Sequence, residues 1–214
     1  MTNENFNIDK ERVGFKLLPI LCCLLFQSIS VLAQNIDTLM SQAEELEYEG
    51  LFQEALELRS QIKILCEQKK DWDNAVINHC NIGYSCWELK EHTLMKIHLD
   101  SALTIAQNQS LDEFGEAYAT IWNYLGFYND ETGQYQKAIR NYQEAIRIDE
   151  KLVNSKIVEE TYLGDGYYNL GAIFTKMGDY DLANNFYEKA ITYYANNNCS
   201  LVDLFNAIAV NTQD

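Results

Sequence analysis

Proline is almost missing: the 214 residues hold one, Pro19, inside an apolar N-terminal run. Past it, no ring removes a backbone donor, so the rest of the chain is free to be helical. Basic side chains are scarce too. Sixteen Lys and Arg stand against 32 Asp and Glu, for a net charge of −16 and a pI of about 4.5. A phosphate backbone is bound by basic groups that release its counterions, and a field of this sign repels it, so no nucleic-acid partner is expected. Histidine is limited to His79, His92 and His98, and there is no HExxH, no Walker-type phosphate loop and no GxSxG elbow. No catalytic residue, metal site or cofactor is therefore predicted. At 47% apolar and 22% charged residues the composition is that of a globular chain, which excludes disorder and collagen.

The N-terminus reads as an export signal. Lys10, Arg12 and Lys16 precede an uncharged stretch over 17–33, LLPILCCLLFQSISVLA, that ends in Val31-Leu32-Ala33. Cleavage is expected after Ala33, with a mature chain from Gln34 in the periplasm or cell envelope and no membrane insertion after cleavage. The alternative is an uncleaved anchor, but Gln27, Ser28 and Ser30 leave the stretch short of the roughly 20 apolar residues that a span needs. A lipoprotein signal fits less well, because Leu21 and Cys22 stand where small residues would precede the cysteine. The segment's basic residues are balanced by Glu4, Asp9 and Glu11, so the acidity belongs to the remainder. That remainder keeps Cys66, Cys80, Cys86 and Cys199, whose wide spacing is not that of a zinc site. They are expected in the core as small hydrophobes, with disulfides the alternative in an exported protein.

Two segments align without a gap: WNYLGFYNDETGQYQKAIRNYQEA over 122–145 and YYNLGAIFTKMGDYDLANNFYEKA over 167–190. Trp122 matches Tyr167, Leu125-Gly126 matches Leu170-Gly171, and Gly133 and Tyr135 match Gly178 and Tyr180. Ala138, Tyr142 and Ala145 match Ala183, Tyr187 and Ala190. The pattern resembles the tetratricopeptide repeat, a helix-turn-helix unit of about 34 residues. Each position has a physical reason. Gly126 and Gly171 let the first helix of a unit approach its partner, Gly133 and Gly178 permit the turn, and the alanines put a narrow face on the second helix. Two weaker units precede. In 76–107, Ile82-Gly83 takes the Leu-Gly place and Lys90 replaces the turn glycine; in 36–67, Ala43 is the small residue and Gly50 the turn.

Ala43, Gly83, Gly126 and Gly171 are 40, 43 and 45 residues apart, so the units are long. Residues 146–166 lack proline and keep their periodicity, and the surplus is expected to lengthen the helices. Helices are predicted over 36–48, 52–68, 72–88, 91–108, 112–130, 135–153, 157–176 and 180–196. The resemblance implies an all-α, right-handed superhelical solenoid of antiparallel helix pairs. It divides the chain into a signal at 1–33, an array of about four units over 34–196, and a partial fifth unit or capping helix at 197–214. That last segment is unusually apolar for a cap, with Leu201, Leu204, Phe205 and Ile208. Its residues 200–214 are expected to pack on a partner, to mark a reading frame cut short, or to self-associate.

Long-unit arrays look like those of kinesin light chains, peptide-sensing regulators and exported sensor regions. The resemblance implies a noncatalytic scaffold that binds a peptide or protein in a groove lined by first helices. A ligand-sensing region of a truncated membrane signalling or transcription regulator is the alternative. The groove positions fall on Tyr84, Trp87, Asn123, Phe127, Asp130 and Tyr168, with Cys80, Ala172 and Thr175 beside them. The Lys, Asn and Arg clamp by which chaperone adaptors of the family hold a peptide carboxylate has only Asn123 as a counterpart. Aromatic residues here would stack on apolar anchors or fill the core between repeats. Of the remaining candidates, His79 is expected in the core and His92 and His98 at the surface. Gly164-Asp165-Gly166 is expected to open a helix, and Glu44, Glu45, Glu47 and Glu49 to form a solvated acidic face.

Overall fold

Every turn between the described helices ends a helix in the same way. A residue with positive φ closes each of seven helix C-termini: Gly50, Lys70, Lys90, Ser110, Gly133, Lys156 and Gly178. The next residue's N–H then bonds a carbonyl five positions back, as from Leu51 to Leu46 (2.8 Å), Glu91 to Cys86 (2.8 Å) and Gln134 to Asn129 (2.7 Å). This Schellman closure satisfies carbonyls that the ending helix leaves free. Glycine does it without strain, and Lys90 (φ 68°) does it in the unit where the sequence lacks the glycine.

The computed structural model describes residues 35–195. They form eight helices and no strand: α1 (Ile36–Tyr48), α2 (Phe52–Lys69), α3 (Trp72–Glu88), α4 (His92–Asn108), α5 (Glu116–Glu131), α6 (Tyr135–Asn154), α7 (Thr161–Met177) and α8 (Tyr180–Ala195). The expected signal and the apolar C-terminal segment lie outside the described residues. Start signals are local: Asn35 Oδ1 accepts from Asp37 N (3.1 Å), Asp71 Oδ1 from Asn74 N (3.3 Å), and Asp179 Oδ1 from Leu182 N (3.2 Å). No helix among the described residues is long and apolar enough to cross a membrane.

The eight expected helices are all present, and two begin four residues later than expected. Before α5 the chain turns at Asp112, whose Oδ1 accepts from Phe114 N (3.0 Å) and whose carbonyl accepts from Gly115 N (2.8 Å). That turn sets the Phe114 ring under Lys151 and Arg147 of α6, 3.2 and 4.7 Å from the ring centre. Before α7, the left-handed Lys156 sends 157–160 across as a connection, and the helix starts at Thr161.

Helices pack as antiparallel pairs, α1 with α2, α3 with α4, α5 with α6 and α7 with α8, and each pair stacks on the next. The small residues do what the sequence requires of them. A Cβ on Gly126 would lie 2.6 Å from the Tyr142 ring, and one on Gly171 2.6 Å from the Tyr187 ring. Ala138, Ala145, Ala183 and Ala190 are all buried at the seams. The core follows the array as a series of clusters, around Leu39, Ile62 and Leu65, then Met95, Leu99 and Ile121, then Ile146, Leu170 and Ile173, and last Ala183, Tyr187 and Ala190. Cys66, Cys80 and Cys86 are buried in it as free thiols, and burial raises all three, Cys66 to about 12. Cys199 lies outside the described residues.

Candidate functional site

First helices α1, α3, α5 and α7 lie side by side. The α3 and α5 helices are in direct contact, and side chains tie α5 to α7: Asn169 Nδ2 donates to Asn123 Oδ1 (3.3 Å), and Lys176 Nζ to both carboxylate oxygens of Asp130 (2.9 and 3.0 Å). Toward the C-terminal ends of these helices the expected groove residues gather. Tyr84 meets Phe127 edge-on with ring centres 5.8 Å apart, Trp87 meets Phe127 at 5.8 Å, and Tyr84 also touches Tyr124 and Phe52 at 6.2 Å. All of the expected groove aromatics are half-buried, and Trp87, Tyr124 and Phe127 pack on the core between the second and third units. Tyr168 stands apart from them and packs on Tyr187 at 5.7 Å. Asp130 is buried, and its ion pair with Lys176 makes it a joint between repeats. Cys80 is fully buried; Ala172 and Thr175 are half-buried, and Thr175 Oγ1 shares a hydrogen bond with the Tyr187 hydroxyl (3.1 Å).

Toward the opposite ends of the same helices lies a cavity of about 220 Å³. Four carboxylates from four helices line it: Glu44 (α1), Glu116 (α5), Asp149 (α6) and Asp165 (α7), with Asn81, Asn123, Tyr124 and Tyr162 between them. Asp149 is 7% exposed, and its Oδ1 has no hydrogen-bond partner. Burial, then the negative fields of Glu116 and Asp165, push its carboxyl up to about 7. Burial also raises Glu116, with Asp73 and Glu44 adding to it. Asp165 is raised by burial against the hydrogen bond that it accepts from the Tyr194 hydroxyl. None of the residues lining the cavity is basic.

Behind the cavity is a group that sequence reasoning missed. Arg59 of α2 is fully buried and grips Glu47 with two hydrogen bonds, Nε to Oε1 (3.1 Å) and Nη2 to Oε2 (2.7 Å). Ser85 Oγ donates to the same Glu47 Oε1 (2.6 Å). The Asn81 amide, oriented by its neighbours, accepts from Arg59 Nη1 and Nη2 (3.2 and 3.1 Å) and donates to the Tyr124 hydroxyl (2.7 Å). Glu47 is thus half of a buried ion pair, which corrects the expectation for that residue, while Glu44, Glu45 and Glu49 are exposed as expected. The signal was a charge on an apolar stripe: Ala55, Arg59, Ile62 and Cys66 fall on one face of α2, as Tyr142, Ala145, Asp149 and Leu152 do on α6.

The histidines also differ in part from expectation. His79 is buried as expected, but His98 is half-buried against it, Nδ1 to Nδ1 3.1 Å, while His92 is exposed. Helix α4 faces α3 here and brings together two rings that are far apart in sequence. Burial lowers both, His79 to about 4 with help from His98 and Lys63, so the pair is neutral and one ring donates to the other. Gly164-Asp165-Gly166 lies in the opening turns of α7, as expected. Among the described residues no three His, Cys, Asp or Glu side chains converge closely enough to hold a metal ion.

This architecture has known counterparts. The crystal structure of BtubC (BKLC) from P. vanneervenii superposes with a TM-score of 0.68 over 96% of this chain and 84% of that one, at 20% identity. Nearly identical TPR-like repeats, described as those of a Podosopora anserina kinesin light chain, give 0.57 over 83% of this chain and 85% of theirs, at 14% identity. At such identities the likeness is one of fold. No curated protein matches the sequence. The tetratricopeptide repeat pattern itself matches residues 73–151 and again 164–197, together more than half of the chain. Repeats of this kind build protein–protein interaction scaffolds, and in general noncatalytic ones. With four stacked helix pairs, turns in register and small residues at each seam, this chain belongs to the tetratricopeptide repeat family.

Proposed function

We propose that this chain is an exported peptide-binding scaffold whose ligand lies along the face formed by α1, α3, α5 and α7. One observation carries the reading: the half-buried cluster of Tyr84, Trp87, Tyr124 and Phe127 on two adjacent first helices. Each ring is fixed by an edge-to-face or tilted neighbour, so little side-chain entropy remains to be lost when a ligand covers it. Asn123 and Asn169 adjoin the cluster and offer amide groups to a peptide backbone, while the rings take apolar anchors. Asp130 and Tyr168 flank this face as supporting joints.

The test is selection from a random peptide library on the purified chain. Peptides sharing an aromatic or aliphatic anchor are expected, with retention lost in a folded Tyr84→Ala, Phe127→Ala variant. Retention unchanged by that variant would move the site to another face. Export rests on the basic and apolar segments of residues 1–33. An intact mass beginning at Gln34 in the cell envelope is expected, and one beginning at Met1 would refute cleavage.

A further inference from the structure

We propose that the acidic cavity is the subsite for a basic side chain of the bound peptide, an arginine or lysine whose cation enters between Glu44, Glu116, Asp149 and Asp165; this rests on the peptide reading above. Four observations converge on it. The carboxylates come from four helices and face one space of about 220 Å³ whose lining contains no base. Asp149 Oδ1 is buried without a partner, and a buried carboxylate lacking one is costly unless something else brings the partner. The carboxylates do not converge tightly enough for a metal ion, so a ligand that reaches several of them must be larger, as a guanidinium with fixed, spread donors is. Ile77, Ala119 and Ala145 in the lining suit the methylene stem, and the Tyr162 ring, 45% exposed, offers a face to the charge.

The cavity is continuous with the aromatic face. Asn123 and Tyr124 line it, and the Tyr124 ring touches Tyr84. Ile77 at the cavity and Tyr84 in the cluster are seven residues apart on α3, roughly 10 Å along the helix. A ligand would therefore carry its base about three extended residues from its apolar anchor. The strong negative charge of the whole chain draws such a ligand in.

The test is calorimetric titration of the purified chain with N-acetyl-arginine amide, with N-acetyl-norleucine amide and putrescine as comparators. Saturable binding of the capped arginine in the millimolar range is expected, with none for norleucine and a weakening of about tenfold or more in Asp149→Asn. That variant is also expected to resist denaturant better than the parent, so its weakened binding is not misfolding. Absence of saturable arginine binding, equal binding of norleucine, or undiminished binding by Asp149→Asn would overturn the proposal. Tighter binding of putrescine would overturn it in favour of a free diamine. Selected peptides that bind equally well after every Arg and Lys is replaced would overturn the subsite and leave the groove reading standing. Capped-arginine binding with no peptide retained would instead overturn the groove reading, and with it the peptide origin of the cation.

Discussion

Removing Glu47 strands a charge. In Glu47→Ala, the Arg59 guanidinium loses two charge-assisted hydrogen bonds of 3.1 and 2.7 Å, and Ser85 loses its acceptor at 2.6 Å. Asn81 and the Met40 sulfur, 3.2 Å from Nη1, remain, but neither carries a charge. Arg59 is 0% exposed and Glu47 11%, so water does not replace what is lost. Breaking one side of such a pair costs about 3 to 5 kcal/mol, whereas replacing both partners with apolar groups of similar volume is close to neutral. The expected order of stability is therefore parent, close to Glu47→Leu/Arg59→Met, far above Glu47→Ala. The single variant should lose roughly 10 °C in Tm for a chain of this size. Urea unfolding followed by far-UV circular dichroism reads the difference. A loss below about 1 kcal/mol for Glu47→Ala, or a double variant as unstable as the sum of the two singles, would refute the argument that desolvation governs this pair.

Lys90→Gly is expected to stabilise the chain by about 0.5 to 1 kcal/mol, since it removes a side chain from a left-handed position (φ 68°); a shifted urea midpoint checks it. Gly126→Ala should cost about 1 to 3 kcal/mol, because its new Cβ would meet the ring of Tyr142, which is 2% exposed and cannot leave. Gly133→Ala should cost only about 1 kcal/mol, as open space surrounds it and only its φ of 73° is strained; the two midpoints compared distinguish crowding from backbone strain. Two buried groups give opposite pH slopes. The Asp149 carboxyl, raised from 3.8 to about 7, holds its proton in the folded chain after the unfolded chain has released it. Its contribution is full below about pH 4 and lost as pH rises to about 7, and Asp149→Asn removes that loss. His79, lowered from 6.5 to about 4, resists the proton that the unfolded chain accepts, so its contribution is full above about pH 6.5 and lost as pH falls to about 4. Unfolding free energies measured from pH 4 to 8 for parent, Asp149→Asn and His79→Leu should separate the two slopes; identical slopes in all three would refute both assignments.

The helix pairs are written in the linear chain. Leu-Gly, the turn residue and the seam alanines act within one unit, where contacts are local and their period is that of the helix, so the spacing of Gly126, Gly133 and Ala138 is enough to give each its role. Even the exception was legible, because Lys90 occupies a left-handed turn that the neighbouring units mark with glycine. The groove aromatics could be placed on their helices for the same reason. How units meet is settled only by the tertiary packing. Glu44, Glu116, Asp149 and Asp165 share one cavity because of how the long units stack, and no periodicity in the chain encodes the crossing of one pair on the next. Arg59 reaching Glu47 and Asn81, His98 meeting His79, and Asp130 taking Lys176 are of the same kind. A local pattern fixes the register of a side chain on its helix. Its partner across the array depends on packing angles summed over several helices, and that sum exists only in the folded chain.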